Sequence, residues 1–186
     1  MPYQELSDFQ LMALLKSRTY PHGWVRDEND AFREIIQRYQ SPLLNFFRRL
    51  GADINRAEDC IQETFIKLFN YRYKYRPTHK FTTFLYTLAR HSWADEGRRQ
   101  KRNKFIESKE FVESKEPLDD RLDIQEAINK LSEKLRMTVV LSIYQGLTYE
   151  EIAEVLKIPV GTVKSRMSLA FQQLREVLKD EDTMQL

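Results

Sequence analysis

The stretch Thr148 to Leu174 constrains this chain most, because it reads as two short helices broken at a single place, with no acidic residue in its second half. Thr148 followed three positions on by Glu151 is a capping box, in which each side chain satisfies an orphan backbone N–H of the other. A helix therefore starts there, with Ile152, Ala153, Val155 and Leu156 as its buried face. Lys157-Ile158-Pro159 interrupts it, since proline disfavours the helical region for the residue before it. A second helix follows from about Val160, with Val163, Met167, Ala170, Phe171, Leu174 and Leu178 recurring at helical spacing on its inner face. Its outer face carries Thr162, Lys164, Ser165, Arg166, Ser168, Gln172 and Arg175.

From Val155 to Arg175 the charges are Lys157, Lys164, Arg166 and Arg175, all positive. A helix of that kind can approach phosphates and lie in a major groove, and the small Gly161 and Ser165 near its start allow a close approach. The pair reads as a helix-turn-helix over 148–167. The competing reading is plain packing, because capped amphipathic pairs occur in any helical bundle. Context favours DNA: upstream, Leu131-Ser132 opens another helix in which Leu135, Val139, Val140 and Ile143 recur at helical spacing, and Gly146 ends it. Three or four short helices with a basic last one are the expected build of a small DNA-binding domain.

Helical periodicity runs through the rest of the chain, and five glycines and six prolines in 186 residues leave little room for turn-rich sheet structure. An all-α protein is expected. The single cysteine, Cys60, sits among Ala57, Ile61 and Phe65 and reads as core, which together with the lack of a disulfide partner suits a reducing cytoplasm. Glu5 and Asp8 precede any apolar run near the start, so neither a signal peptide nor a membrane span is expected there. Ser7 with Gln10 is expected to cap a short helix.

The net charge of +2 conceals two opposed segments. From Ala31 to Lys104 there are sixteen Lys or Arg against seven Asp or Glu, whereas from Phe105 to Asp123 there are three against seven. The first is a basic domain and the second an acidic linker. The expected architecture is two small helical domains, 1–104 and 124–186, joined by a flexible acidic linker over 105–123.

In the first domain Phe32, Ile35, Ile36 and Tyr39 begin an amphipathic helix that Pro42 kinks or ends, before Leu43, Leu44, Phe46, Phe47 and Leu50 continue the apolar supply up to Gly51. Asn55 with Glu58 suggests the cap of a helix that buries Ala57, Ile61, Phe65 and Leu68 and shows Asp59, Gln62 and Glu63 on its other side. Such a side is either a solvated face or a binding face. Tyr71 to Arg76 then alternates three tyrosines with three cations and leads into a loop, Pro77 to Phe81. Rings on which bases stack and cations that meet the backbone suit single-stranded nucleic acid, although some of the rings are expected to cover the core. Thr82 or Thr83 caps the next helix, with Phe84, Leu85, Leu88 and Ala89 inward and a cation-rich continuation to Lys104.

These motifs resemble one family, the extracytoplasmic-function group of bacterial RNA polymerase sigma factors. Ala57-Glu58-Asp59-Cys60-Ile61-Gln62-Glu63-Thr64-Phe65 resembles its region 2.2, and Phe81 to Arg90 with Asp95 and Arg98-Arg99 resembles its regions 2.3 and 2.4. Leu147 to Ala153 with Ile158 to Arg166 is similar to its region 4.2. The three occur in the family's order and span most of 31–178. The resemblance implies a promoter-specificity subunit that catalyses nothing itself and needs no cofactor or metal. It implies that Asp59, Gln62, Glu63 and Phe65 meet the core polymerase, and that Tyr75, Lys80, Phe81, Arg90, His91, Trp93, Arg98, Arg99, Lys101 and Arg102 hold the melted −10 element. It implies further that Pro159, Thr162, Lys164, Ser165, Arg166, Ser168 and Arg175 read the −35 element as duplex, and that an anti-sigma factor is a partner. Phe84, His91 and Lys157 depart from the Trp, Asn and turn Gly common in the family, the last suggesting a turn wound differently. An operator-binding regulator working without polymerase is the alternative, and it leaves the first domain idle. An enzyme is disfavoured, since His22, His79 and His91 are scattered and no Gly-rich phosphate loop is present.

Overall fold

A computed structural model of the chain describes residues 3–16, 26–77, 80–106 and 122–184. Thr78, His79, the acidic stretch 107–121, the segment 17–25 and the side chain of Leu178 lie outside the described residues. All described regular structure is helical: α1 (Asp8–Lys16), α2 (Arg26–Arg49), α3 (Ile54–Tyr71), α4 (Phe81–Ile106), α5 (Leu122–Lys130), α6 (Glu133–Val139), α7 (Tyr149–Leu156) and α8 (Val160–Met184). Short turns of 3-10 helix occupy Tyr3–Glu5 and Arg72–Lys74, and a π-helical turn occupies Val140–Tyr144.

The first four helices pack around a core of apolar and aromatic side chains. Ser7 and Gln10 cap α1 reciprocally, the Ser7 N–H reaching Gln10 Oε1 at 2.8 Å and the Gln10 N–H reaching Ser7 Oγ at 3.3 Å. Helix α1 lies against α2, where Asp8 accepts hydrogen bonds from Arg38 and Tyr39. Helix α2 continues through Pro42 instead of ending there. An interior proline costs about 3 kcal/mol or more in an isolated helix. Complete burial of Leu43, Phe46 and Phe47 in the turns that follow offsets that cost.

Helix α3 starts earlier than the Asn55–Glu58 pattern suggests. Its cap is Asp53, whose side chain accepts from the Arg56 N–H at 2.9 Å, so Asn55 falls inside the helix. Gly51, at a φ of 101°, and the buried Ala52 end the preceding turn early enough for Asp53 to take the cap. Nor does Thr82 or Thr83 cap α4. The helix already includes Phe81, whose ring is buried against Tyr39 at 5.1 Å, while Thr83 is buried and its carbonyl accepts from the Thr87 hydroxyl. Burial of Phe81 takes precedence over the local capping preference of the threonines.

In the C-terminal set, α6 and α7 pack on α8. The π-helical turn makes Gln145 N–H donate to the Val140 carbonyl five residues back, and that winding rotates Ile143 outward to 53% exposure, against the inward position its spacing suggests. Gly146, at a φ of 66°, then ends the segment as expected. The buried side chains of both halves form one continuous cluster, and α4 packs directly on α7.

Candidate nucleic-acid interface

The polar side of α3 is fixed by what its other side buries. Ala57, Cys60, Ile61, Thr64, Phe65 and Leu68 face the core, which leaves Asp59 and Gln62 exposed and Glu63 at the edge, 3.3 Å from Lys67. Cys60 is core, as its sequence neighbours suggest, and burial pushes its thiol up to about 12. Phe65 does not share the outer face. Its ring is buried and meets Phe32 edge-on at 6.3 Å, so it supports the helix without reaching a partner. An apolar side chain offered outward beside these residues is Ile66, 49% exposed. Its place four residues after Gln62 and seven after Asp59 was the signal for it.

The aromatic run after α3 divides in the same way. Tyr75 and Phe81, both expected to touch DNA, are buried: Tyr75 packs 5.9 Å from Phe81 and 5.4 Å from Phe84, and its carbonyl accepts from Lys16. The rings left at the surface are Tyr71 and Tyr73, with Lys74 Nζ 4.3 Å from the first and the Arg72 guanidinium 4.5 Å from the second. Simple alternation of ring and cation gave no means of telling which rings the α1–α2–α4 core would enclose.

On α4 the expected DNA-facing residues from Arg90 to Arg102 are all at least partly exposed. Arg90 approaches His91 Nε2 at 2.8 Å, and burial followed by the charges of Arg90 and Lys67 holds the His91 imidazole below its ordinary range. Trp93 is half-buried between Phe47 and the Arg56 guanidinium, which lies 5.5 Å from its ring. Asp95 accepts from Lys67 Nζ at 2.6 Å and from Arg98, and the Lys67 hydrogen bond in particular holds its carboxyl below the usual range. Arg99 lies 3.8 Å from Glu96, while Lys101 and Arg102 are exposed. Lys80, just before α4, pairs with Glu151 at 2.8 Å.

The two-helix unit at the C-terminal end forms as its sequence dictates. The capping box is complete, with Thr148 N–H on Glu151 Oε2 at 2.8 Å and Glu151 N–H on Thr148 Oγ at 3.3 Å. Burial raises the Glu151 carboxyl, but its bonds to Lys80 and Thr148 outweigh that and hold it below the usual range. Lys157 ends α7 in the left-handed conformation at a φ of 58°, so the turn keeps the winding that a glycine would favour. The Ile158 N–H bonds to the Ala153 carbonyl, and the Pro159 carbonyl accepts from Thr162 and Val163 as α8 begins.

Val163, Met167 and Ala170 are buried, whereas Pro159, Lys164, Ser165, Ser168 and Arg175 are exposed and Thr162 and Arg166 are half-buried. Phe171 departs from the inner face expected for it and is 44% exposed. Ala170 and Leu174 hold that face, and position 171 is rotated about 100° from 170. A Cβ at Gly161 would meet nothing, so this fold does not itself require a glycine there. Among the described residues no group of acids, histidines and cysteines could hold a metal, and no helix is long and apolar enough to cross a membrane.

Comparison with known proteins identifies the family. Residues 35–103 match the family described as Sigma-70 region 2, and residues 121–174 match Sigma-70 region 4. The chain is 30% identical over 173 residues to ECF RNA polymerase sigma factor SigW of Bacillus subtilis, covering 83% of this chain and 92% of that one. It is also 30% identical to the RNA polymerase sigma-H factor of Pseudomonas aeruginosa, covering 83% and 89% respectively. Among solved structures, the sigma factor RpoE in complex with the anti-sigma factor NepR from Bartonella quintana superposes with a TM-score of 0.71 at 27% identity, covering 80% of this chain and 96% of that one. CnrH, in complex with the cytosolic domain of CnrY, shares the fold at a TM-score of 0.69 and 21% identity, covering 93% and 97%. With region 2 and region 4 in order along one all-helical chain, and relatives matched over most of their length, the protein belongs to the ECF group of RNA polymerase sigma factors.

Proposed function

We propose that this chain binds the core of a bacterial RNA polymerase and directs it to a set of promoters, without catalysing a reaction of its own. The observation that carries the reading is the presence, in one chain, of a region-2 unit with an unburied polar α3 face and a region-4 unit whose last helix carries no acid before Glu176. An operator-binding regulator would use the second and leave the first without a role. The divisions we propose are region 2 over 1–104, a connector over 105–123 and region 4 over 124–186. The gap between the two family matches supports them.

Core polymerase is bound through Asp59, Gln62 and Glu63, with Ile66 as the apolar contact in place of the buried Phe65. The melted −10 strand runs along Lys80, Arg90, His91, Trp93, Arg98, Arg99, Lys101 and Arg102, with Tyr71 and Tyr73 as the rings available for stacking in place of Tyr75 and Phe81. The −35 duplex is read by Thr162, Lys164, Ser165, Arg166 and Ser168, with Pro159 and Arg175 at the edges of the contact. An anti-sigma factor is a further partner, supported by the likeness to RpoE in its complex with NepR.

The test is reconstitution with core polymerase on a promoter library. Specific run-off transcripts are expected, and Glu63→Lys should abolish them while changing stability by less than about 0.5 kcal/mol. Core binding and initiation that survive Glu63→Lys would remove α3 from the polymerase interface, and absence of any specific start would overturn the whole reading.

A further inference from the structure

Around helix α8 each residue turns about 100° from the last. Val163, Met167, Ala170 and Leu174 set its inner direction, and the opposite direction runs along Gly161, Ser165, Ser168, Leu169 and Gln172, all exposed. The cations stand to either side of that line, Lys164 and Arg175 on one flank and the half-buried Arg166 on the other. A helix in a major groove needs such an arrangement, because the walls of the groove are phosphate and its floor is base edges. The central line is therefore the part that faces bases. It holds small or polar side chains with one exception, Leu169, which is 46% exposed.

Its neighbours on that line define what this leucine can meet. Ser165, one turn earlier and about 40° away around the helix, donates its hydroxyl to the Thr162 carbonyl at 3.0 Å, so it offers the groove an acceptor. Gln172, one turn later, donates to Glu176 Oε1 at 3.3 Å. That glutamate is the first acid of the helix, and it marks where the face stops being compatible with phosphate. Single exposed leucines are common on protein surfaces, and this one is set apart by its place. A leucine laid against base edges leaves donors and acceptors unmatched everywhere except at thymine, whose C5-methyl is the apolar group that the major groove displays.

We propose that Leu169 is a specificity-determining residue of the −35 contact and reads a T·A pair through the thymine methyl. The proposal rests on the assignment of α8 to the −35 duplex. A C·G pair at that position would lack the methyl and bring an amino group whose hydrogen bond to water Leu169 displaces without replacing it.

The experiment uses holoenzyme reconstituted with core polymerase and duplex fragments of a promoter that it opens. Each thymine of the −35 element, on either strand, is replaced in turn by deoxyuridine, which pairs as thymine does and lacks only the methyl. Affinity is read by competition with the unmodified promoter. With the unsubstituted chain, one position should bind about fourfold more weakly as uracil, the factor expected for one methyl in an apolar contact. Leu169→Ala should weaken binding to the unmodified promoter by a similar factor and no longer distinguish uracil from thymine at that position. Its sensitivity at other positions and its helical spectrum should be unchanged. Leu169→Met, which keeps an apolar side chain of similar reach, should retain most of the discrimination.

A −35 element without thymine, or one in which no uracil substitution matters, would overturn the proposal. So would a uracil effect of the same size in Leu169→Ala, since another residue would then read the methyl. Failure of the α8 assignment itself gives a different result: scrambling the whole −35 element would leave affinity unchanged, and the role of Leu169 would fall with it.

Discussion

Helix α4 and the part of α8 up to Arg175 are both cation-rich and both proposed to meet DNA, yet the structure treats them differently. Along α8 no acid occurs before Glu176, and Lys164, Ser165 and Ser168 stand exposed over a core of Val163, Met167 and Ala170. Along α4, Arg98 and Arg99 are answered by the helix's own Asp95 and Glu96, which also take Lys67 and Arg56 from α3. Its indole is engaged by the other half of the molecule. The contrast teaches that positive charge alone does not make a ready binding face. A helix can hold its cations out on an exposed surface, as α8 does with Lys164 and Arg175, or engage them with neighbouring acids, as α4 does with Arg98 and Arg99.

Four measurements would break or sharpen that contrast. The largest effect is expected inside the duplex reader, where Met167→Ala should cost about 2 to 5 kcal/mol in chemical denaturation because it leaves a cavity under α8. A loss below about 0.5 kcal/mol, typical of surface sites, would mean that tertiary packing does not hold the reading face in place. Next, Arg166→Ala should weaken −35 binding by about 1 to 3 kcal/mol and relax preference at one position if it reads a base. A double substitution of Lys164 and Arg166 to alanine that still protects the element in footprinting would remove α8 from recognition.

A smaller effect, of opposite sign, is expected at the turn. A non-glycine residue in the left-handed region costs roughly 1 to 2 kcal/mol, part of which glycine gives back through its freer unfolded chain. Lys157→Gly should therefore raise stability by up to about 1 kcal/mol, and a urea midpoint that falls instead would mean that Lys157 makes a contact worth more than its strain.

The smallest effect concerns pH and belongs to the α4 side. Burial first, then Arg90 and Lys67, depress the His91 pKa, with Lys157 adding to the shift and Asp95 opposing it. The folded chain thus binds fewer protons at His91 than the unfolded chain, so this contribution favours folding at neutral pH. It is lost as pH falls through the ordinary value of about 6.5 toward the depressed one. Between pH 7.5 and 5.5 the melting temperature of the unsubstituted protein should fall slightly more than that of His91→Gln. Equal decreases would show that the titration of His91 makes no difference to the stability of the fold.

Several features were legible in the sequence because their causes lie within one or two helical turns. The boxes Ser7–Gln10 and Thr148–Glu151, the buried stripe of α3 and the exposed stripe of α8 all form where spacing puts them. Charge segregation was equally plain, since it needs only counting. These properties depend on neighbours three and four residues away, and the chain supplies such neighbours wherever it goes.

The remainder was decided by tertiary structure, since burial depends on residues far apart in sequence. Which tyrosines of Tyr71, Tyr73 and Tyr75 face solvent follows from where α1, α2 and α4 close over the turn, and an alternating run carries no phase that could say so. Asp53 displaced Asn55 as a cap, and Phe81 drew the start of α4 ahead of two threonines, because the end of α2 and the aromatic core set those starts. The π-helical turn moved Ile143 outward through one extra residue per turn that no apolar spacing reveals. The packing of the C-terminal helices on α4 was the least legible of all: α7 lies on α4, Trp93 reaches Glu133 at the start of α6, forty positions away, and no helix there bears a mark of its partner until the chain has folded.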